Sequence, residues 1–151
     1  MSASGGRLRI AVVSSVGGHL REVLQLWEVL RAHDVFFILN DETSVNLPAR
    51  SYRIAHAERD LLVLWNLVEA GRILRKERPD VILSTGAGPA VPVALVGRAL
   101  GARVIFIETF GAVRTPSLSG RLMYRIADHF FYQWEPLRRF FPRGEHVGSI
   151  F

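Results

Sequence analysis

The 151-residue chain has no cysteine and a single lysine, Lys76. Without cysteine, disulfide bonds and thiolate metal sites are excluded, and a reducing compartment is compatible. No apolar run reaches the about 18 residues that a membrane-spanning helix needs. Residues 1–6 are small and polar, and the apolar run at 8–13 is too short for the core of a signal peptide. We therefore expect a cytoplasmic protein whose membrane contact is at most peripheral.

Positive charge is present almost entirely as arginine. Lysine and arginine number 19 against 14 acidic residues, which gives a net charge of +5. Arginine presents a planar fork that suits phosphate and carboxylate groups. The arginines are dispersed along the chain, however, and no helix-turn-helix, RNA-recognition or zinc-finger pattern is present. We therefore do not expect nucleic acid as a partner.

Short β-branched runs alternate with longer amphipathic stretches along the whole chain. The runs predict strands at 7–14, 34–39, 51–54, 81–84, 103–108 and 129–132, and the stretches predict helices at 19–32, 61–77, 90–100 and 119–127. This alternation is typical of an α/β fold, a Rossmann-like parallel sheet wrapped by helices. We expect one domain over 1–151, with 1–6 flexible. Ligands of such sheets bind at the carboxyl ends of the strands.

The first of these strand ends carries the sequence Ser-Ser-Val-Gly-Gly-His at 14–19. Amide groups of Gly17 and Gly18 at a helix start can bind phosphate, and His19 adds a group that can transfer a proton. The alternative is a tight turn that His19 merely caps. The G-x-G-x-x-G pattern of dinucleotide sites is missing, so we do not expect NAD, although Asp41 could stand where a ribose-binding acid would.

A second glycine loop follows the predicted strand at 81–84. Thr85, Gly86 and Gly88 are candidate phosphate- or acceptor-binding residues, because glycine allows a backbone to approach a ligand closely. Pro89 suits the first turn of a helix. An ordinary strand-to-helix turn remains the alternative. The five histidines show no three-ligand spacing, so no metal is expected.

The third candidate stretch covers residues 107–117. Glu108 ends an apolar strand and is predicted to be either a functional acid or base or the partner of an arginine such as Arg114. Arg114 is itself either a phosphate clamp or a solvated side chain. Ser119 is the predicted N-cap of the next helix. The helix at 61–77 is apolar on most sides, so it is buried, lies on a membrane or meets a partner.

Several motifs together carry a family resemblance that covers nearly the whole chain. They are the segment 15–26, the Ser-Thr-Gly-Ala-Gly-Pro-Ala-Val-Pro segment 84–92, the long segment 106–128, Tyr-Gln-Trp-Glu at 132–135 and the terminal Gly-Ser-Ile-Phe. These segments resemble the acceptor-side subunits of two-component UDP-sugar transferases. One branch of that family makes the second sugar of dolichol-linked N-glycan precursors. The other, PssD-like branch builds exopolysaccharide or capsule units on a polyprenyl diphosphate.

The resemblance implies the amino-terminal, acceptor-facing half of a GT-B glycosyltransferase, similar to the first half of MurG. It implies a PssE-like donor-binding catalytic partner, a polyprenyl-diphosphate-sugar acceptor and a UDP-sugar as co-substrate, with no cofactor and no metal. His19 would be the general base, Gly17 and Gly18 would cradle phosphates, and the cleft would be lined by Glu108, Arg114 and Ser117. The eukaryotic branch begins with a membrane-spanning segment for which residues 1–6 leave no room, so contact with the inner face of the cell membrane would be peripheral. The alternatives are a non-catalytic scaffold for the partner and a stand-alone nucleotide-binding domain.

Overall fold

The computed structural model describes residues 5–40, 44–55 and 61–151. Seven parallel strands form one sheet in the order β3-β2-β1-β4-β5-β6-β7. The strands are β1 (Arg9–Ser14), β2 (Asp34–Leu39), β3 (Ser51–Arg53), β4 (Val81–Gly86), β5 (Arg103–Ile107), β6 (His129–Tyr132) and β7 (Glu145–His146). The helices are α1 (Gly18–Leu24), α2 (Trp27–Leu30), α3 (Leu62–Glu77), α4 (Ala90–Ala99) and α5 (Leu118–Ile126), with a 3₁₀-helix at Glu135–Arg139. The predicted Rossmann-like α/β fold is confirmed.

Alternating side chains of the central strands build two cores, one on each face of the sheet. On one face, Ala11, Phe36 and Phe106 pack against α3, α4 and α5. On the other face, Val12 and Phe37 pack against α1 and α2. A strand that is covered on both faces is apolar along its whole length, which is why β1 and β2 are recognisable in the sequence as continuous hydrophobic runs.

Several predicted boundaries differ from the structure. The predicted helix 19–32 is two helices, because the amides of Gln25 and Leu26 bond to carbonyls three residues back (3.2 and 3.0 Å) and tighten the chain into a 3₁₀ turn. The 3₁₀-helix and β7 have no counterpart in the prediction, since each is too short to show a period. Asp41 and residues 1–4 lie outside the described part of the chain.

Helix α3 divides into a buried and an exposed face. Asn66, Ala70 and Leu74 are buried against the sheet. Large apolar side chains at the start of the helix are instead exposed, namely Leu64, Trp65 and Val68 together with the preceding Leu61. Among the described residues, no helix combines the length and the apolar character that crossing a bilayer requires. Helix α3 is therefore buried on one face and exposes apolar side chains on the other.

Candidate active site

The carboxyl ends of the three central strands lie side by side in the order β1, β4, β5. The loop after β1 therefore faces the loop after β4, and the loop after β5 lies on its other side. This is the arrangement in which open α/β sheets bind their ligands. The three stretches singled out from the sequence meet at one edge of the sheet.

His19 is the second residue of α1, and Thr85 of β4 holds it at two points. The Nδ1 atom of His19 lies 3.0 Å from the carbonyl oxygen of Thr85, and the hydroxyl of Thr85 donates to the carbonyl of His19 at 2.9 Å. A carbonyl oxygen can only accept a hydrogen bond, so Nδ1 carries the proton. In the neutral ring the lone pair is then on Nε2. About a quarter of the His19 side chain is exposed, so the ring is partly accessible to solvent.

Gly86 makes the close approach of the His19 ring possible. Its φ of 111° lies in the region that favours glycine. A Cβ at this position would lie 3.2 Å from Cε1 of His19 and 3.2 Å from Oγ of Ser119. Thr85 and Gly86 are both buried. Both residues position His19, and their role in binding phosphate or acceptor stays a prediction.

Glu108 is fully buried, and neutral donors satisfy its carboxylate. The amides of Thr109 and Ser117 donate to it at 2.9 and 3.1 Å, and the Ser117 hydroxyl donates at 2.6 Å. Burial raises the pKa of Glu108, and the nearby charge of Glu22 raises it further, while the hydrogen bonds from Ser117 and Thr109 oppose the change. The carboxylate thus sits at the amino end of α5, where backbone amides favour negative charge.

Three predictions about residues 108–119 are wrong. Glu108 does not line an open cleft, and within the described residues it forms no ion pair with Arg114, whose side chain is exposed. The N-cap of α5 is Ser117 and not Ser119, because the Ser117 hydroxyl accepts the amide of Gly120 at 2.9 Å. Gly120 is required there, since a Cβ would lie 1.9 Å from Oε2 of Glu108.

A second buried carboxylate, Glu22, escaped the sequence reasoning. It accepts the Phe110 amide at 2.6 Å, the Thr109 hydroxyl at 3.1 Å and the Gln133 side-chain amide at 2.5 Å, and it lies 4.0 Å from Nδ1 of His19. Gln133 also donates to the carbonyl of Glu108 at 3.0 Å. The sequence does contain a signal for its burial near His19. Glu22 follows His19 by one helical turn and lies between Leu20 and Val23, which both face inward.

An apolar groove of about 480 Å³ begins at His19 and runs between α3, α4 and α5. Its polar end includes Thr109, Ser117, Ser119 and the backbone at Gly88. Its walls are aliphatic side chains from the three helices, namely Val63, Leu67, Val91, Pro92, Leu95, Leu118 and Leu122. We call this feature the α3–α5 groove. Its lining suits an apolar group with a polar end near His19.

The remaining predicted site residues differ in their access to this groove. Gly17 and Gly18 are exposed at the start of α1, and Gly88 is exposed in the loop before α4. Ser117 is partly exposed and lines the groove, whereas Arg114 does not line it. In the described ranges no group of three or more histidine and acidic side chains is arranged to hold a metal ion.

Comparison with known proteins gives this geometry a context. Residues 49–150 match the family described as "Oligosaccharide biosynthesis protein Alg14 like". The human UDP-N-acetylglucosamine transferase subunit ALG14 is 25% identical over 180 residues, covering 95% of this chain and 83% of the human protein. The UDP-N-acetylglucosamine–N-acetylmuramyl-(pentapeptide) pyrophosphoryl-undecaprenol N-acetylglucosamine transferase of Geotalea daltonii is 38% identical over 81 residues, 54% of this chain and 21% of the enzyme.

The fold is shared with a solved glycosyltransferase. The crystal structure of Acinetobacter baumannii MurG superposes with a TM-score of 0.76 at 17% identity. The match covers 94% of this chain and 45% of the MurG chain, so this chain spans just under half of that enzyme. The predicted likeness to MurG is thus confirmed at the level of the fold.

Proposed function

Because the chain belongs to the Alg14-like family of oligosaccharide biosynthesis proteins, we propose that it is the acceptor-side subunit of an inverting glycosyltransferase. A separate donor-binding subunit supplies the UDP-sugar, and the acceptor is a sugar on a polyprenyl diphosphate. Two observations support this division of labour. The human relative is named as a transferase subunit, and the chain spans 45% of MurG. We further propose that it belongs to the PssD-like exopolysaccharide or capsule branch and has a PssE-like partner.

His19 acts as the general base in this proposal. Nε2 accepts the proton of the acceptor hydroxyl while that oxygen forms a bond to the anomeric carbon of the donor sugar. The bond between that carbon and the UDP oxygen breaks, and UDP leaves with the electron pair, so the configuration inverts. Thr85 keeps Nδ1 protonated and fixes the plane of the ring. No cofactor or metal takes part.

The phosphate groups lie against the exposed backbone of the two glycine loops. Gly17, Gly18 and Gly88 offer amides without side chains in the way. Exposed Arg114, within the loop after β5, is available as a clamp. Glu108 touches no substrate, because it is fully buried, and it acts by fixing Ser117 at the rim of the groove.

The observation that carries the proposal is the doubly held His19 at the polar end of an apolar groove, at the edge where such sheets bind ligands. We also propose that the exposed face of α3, which bears Leu64, Trp65 and Val68, rests on the inner face of the cell membrane. Arg72, which lies 5.7 Å from the Trp65 ring, supplies positive charge near this face.

The test is sugar transfer by this chain co-purified with its partner, using a UDP-sugar and a polyprenyl-diphosphate-linked acceptor. We expect His19→Ala to lower kcat by about 10²- to 10⁴-fold, the usual contribution of a general base. His129→Ala is the matched control, because His129 begins β6 at the opposite edge of the sheet, and it should keep full activity. If the pair is active and His19→Ala turns over at the wild-type rate, the chain is a scaffold and the base assignment is wrong.

A further inference from the structure

We propose that the α3–α5 groove binds the first isoprene units of the lipid acceptor, so that the protein itself and not only the bilayer selects the lipid. This inference rests on the proposed function for the identity of the acceptor. It adds a binding subsite for a hydrocarbon chain next to the reacting centre.

The lining excludes the other chemical groups of the reaction. Among the described residues, no side chain that lines the groove is ionisable apart from His19, and none is aromatic. A nucleotide base or a sugar ring needs hydrogen-bonding partners or an aromatic face to stack on. The walls instead present branched aliphatic side chains from three helices. The donor nucleotide therefore does not belong here, and a branched hydrocarbon does.

A protein segment is also a poor occupant. A peptide brings an amide and a carbonyl with every residue, and these groups need partners once they are buried. Among the described residues, polar side chains reach the groove only at the end near His19, where Thr109, Ser117 and Ser119 lie. Along its aliphatic part a hydrocarbon leaves no group without a partner.

The two ends of the groove match the two ends of a lipid-linked acceptor. At one end lies His19, the candidate base, beside the serine hydroxyls and the Gly88 backbone. Along the other part, Val63 and Leu67 belong to α3, whose neighbouring Leu64 and Trp65 are exposed. A chain that leaves the groove along α3 thus meets an apolar surface. The volume of about 480 Å³ lies within the range of about 300–1,000 Å³ that small-ligand sites occupy.

The test measures binding to the whole chain, by calorimetry, of a series of allylic diphosphates with one, two and three isoprene units. We expect the Kd to fall about tenfold with each added unit until the groove is filled, because each unit removes apolar surface from water. Leu95→Gln, in the wall of the groove, should flatten this dependence on chain length. Leu100→Gln is the matched control, since Leu95 and Leu100 are equally exposed at 47% and only Leu95 lines the groove.

Each outcome separates this inference from the proposed function. A Kd that does not change with chain length, or a Leu95→Gln variant that retains the wild-type series, overturns the groove as the isoprene site. Loss of binding to phosphatidylglycerol vesicles by Leu95→Gln with an unchanged series would make the groove a bilayer anchor and also overturn it. Chain-length dependence that Leu95→Gln abolishes supports it. If the partnered chain then transfers no sugar, the proposed function fails while the isoprene site stands.

Discussion

Two buried carboxylates lie at opposite edges of the same sheet and are stabilised by opposite means. At the carboxyl edge, neutral amide and hydroxyl groups hold Glu108, and burial raises its pKa. At the amino edge, Glu77 accepts two hydrogen bonds from Arg50 at 3.0 and 2.7 Å and one from the Tyr52 hydroxyl, and its pKa is lowered from 4.5 to about 2. The amino edge gains stability from charge pairing, whereas at the carboxyl edge Glu108 has only neutral hydrogen-bond donors.

The largest expected change in the free energy of unfolding comes from removing each of the two carboxylates in a separate variant. Glu108→Ala leaves the amides of Thr109 and Ser117 and the Ser117 hydroxyl without their acceptor in the protein interior, and it should lower the free energy of unfolding by about 3 kcal/mol. Glu77→Ala should cost only about 1–2 kcal/mol, because Arg50 is partly exposed and keeps its bond to Asp34 at 2.8 Å. Urea unfolding of both variants measures the difference, and equal losses would contradict the comparison.

The next effect is a change in how stability depends on pH. Because the pKa of Glu77 is lowered, its contribution is complete above pH 4.5 and is lost as the pH falls towards about 2. Glu77→Gln should therefore remove about 2 kcal/mol of the rise in stability between pH 2 and pH 4.5. Asp34, whose pKa is also lowered to about 2 from 3.8, should account for what remains. Thermal unfolding across this pH range is the measurement.

The contribution of Glu108 to stability should change with pH in the opposite direction in the same experiment. A raised pKa means that its contribution is complete below pH 4.5 and is lost as the pH rises through the folded-state pKa. Replacement by glutamine should therefore flatten the decline on the alkaline side and leave the acid side unchanged. A Glu108→Gln variant that instead lost the rise between pH 2 and pH 4.5 would show that the two edges are not distinct.

The smallest expected loss of stability comes from filling the space beside Glu108. Gly120→Ala places a methyl group where Oε2 of Glu108 now lies, and the shift of the carboxylate should cost about 1–2 kcal/mol. Gly111→Ala is the matched control in the same region, because nothing lies within 4 Å of its added Cβ and its φ is not positive. It should change stability by less than about 0.5 kcal/mol. The measurement is the denaturant midpoint of each variant. Equal shifts of the two midpoints would contradict this prediction.

The sequence was informative wherever one element alone decides the structure. The bounds of β2 and β6 were predicted to the residue, and in β2 burial on both faces leaves a continuous apolar signature. The meeting of three loops at one edge also followed, because parallel strands end on the same side. These two inferences were enough to place His19 at the site.

The partners of single side chains could not be predicted in the same way. Ser117 and Ser119 both suit an N-cap by type, and only the extended backbone at Ser117, with φ −67° and ψ 160°, decides between them. For Glu108 the sequence left open a functional acid or base and a partner of Arg114, whereas its donors are the Thr109 amide and Ser117 at the cap of α5. Glu22 and Gln133 are 111 residues apart, and nothing local joins them.

The bond between the His19 ring and the Thr85 carbonyl has a kinetic consequence. With one ring nitrogen committed to the backbone, the imidazole cannot pass a proton through itself to the far side. Whatever proton it gains at Nε2 has to depart from Nε2 again before the next round. In the proposed reaction, the reset of His19 would therefore depend on solvent entering on the substrate side, and an occupant that stays there would slow turnover even after sugar transfer.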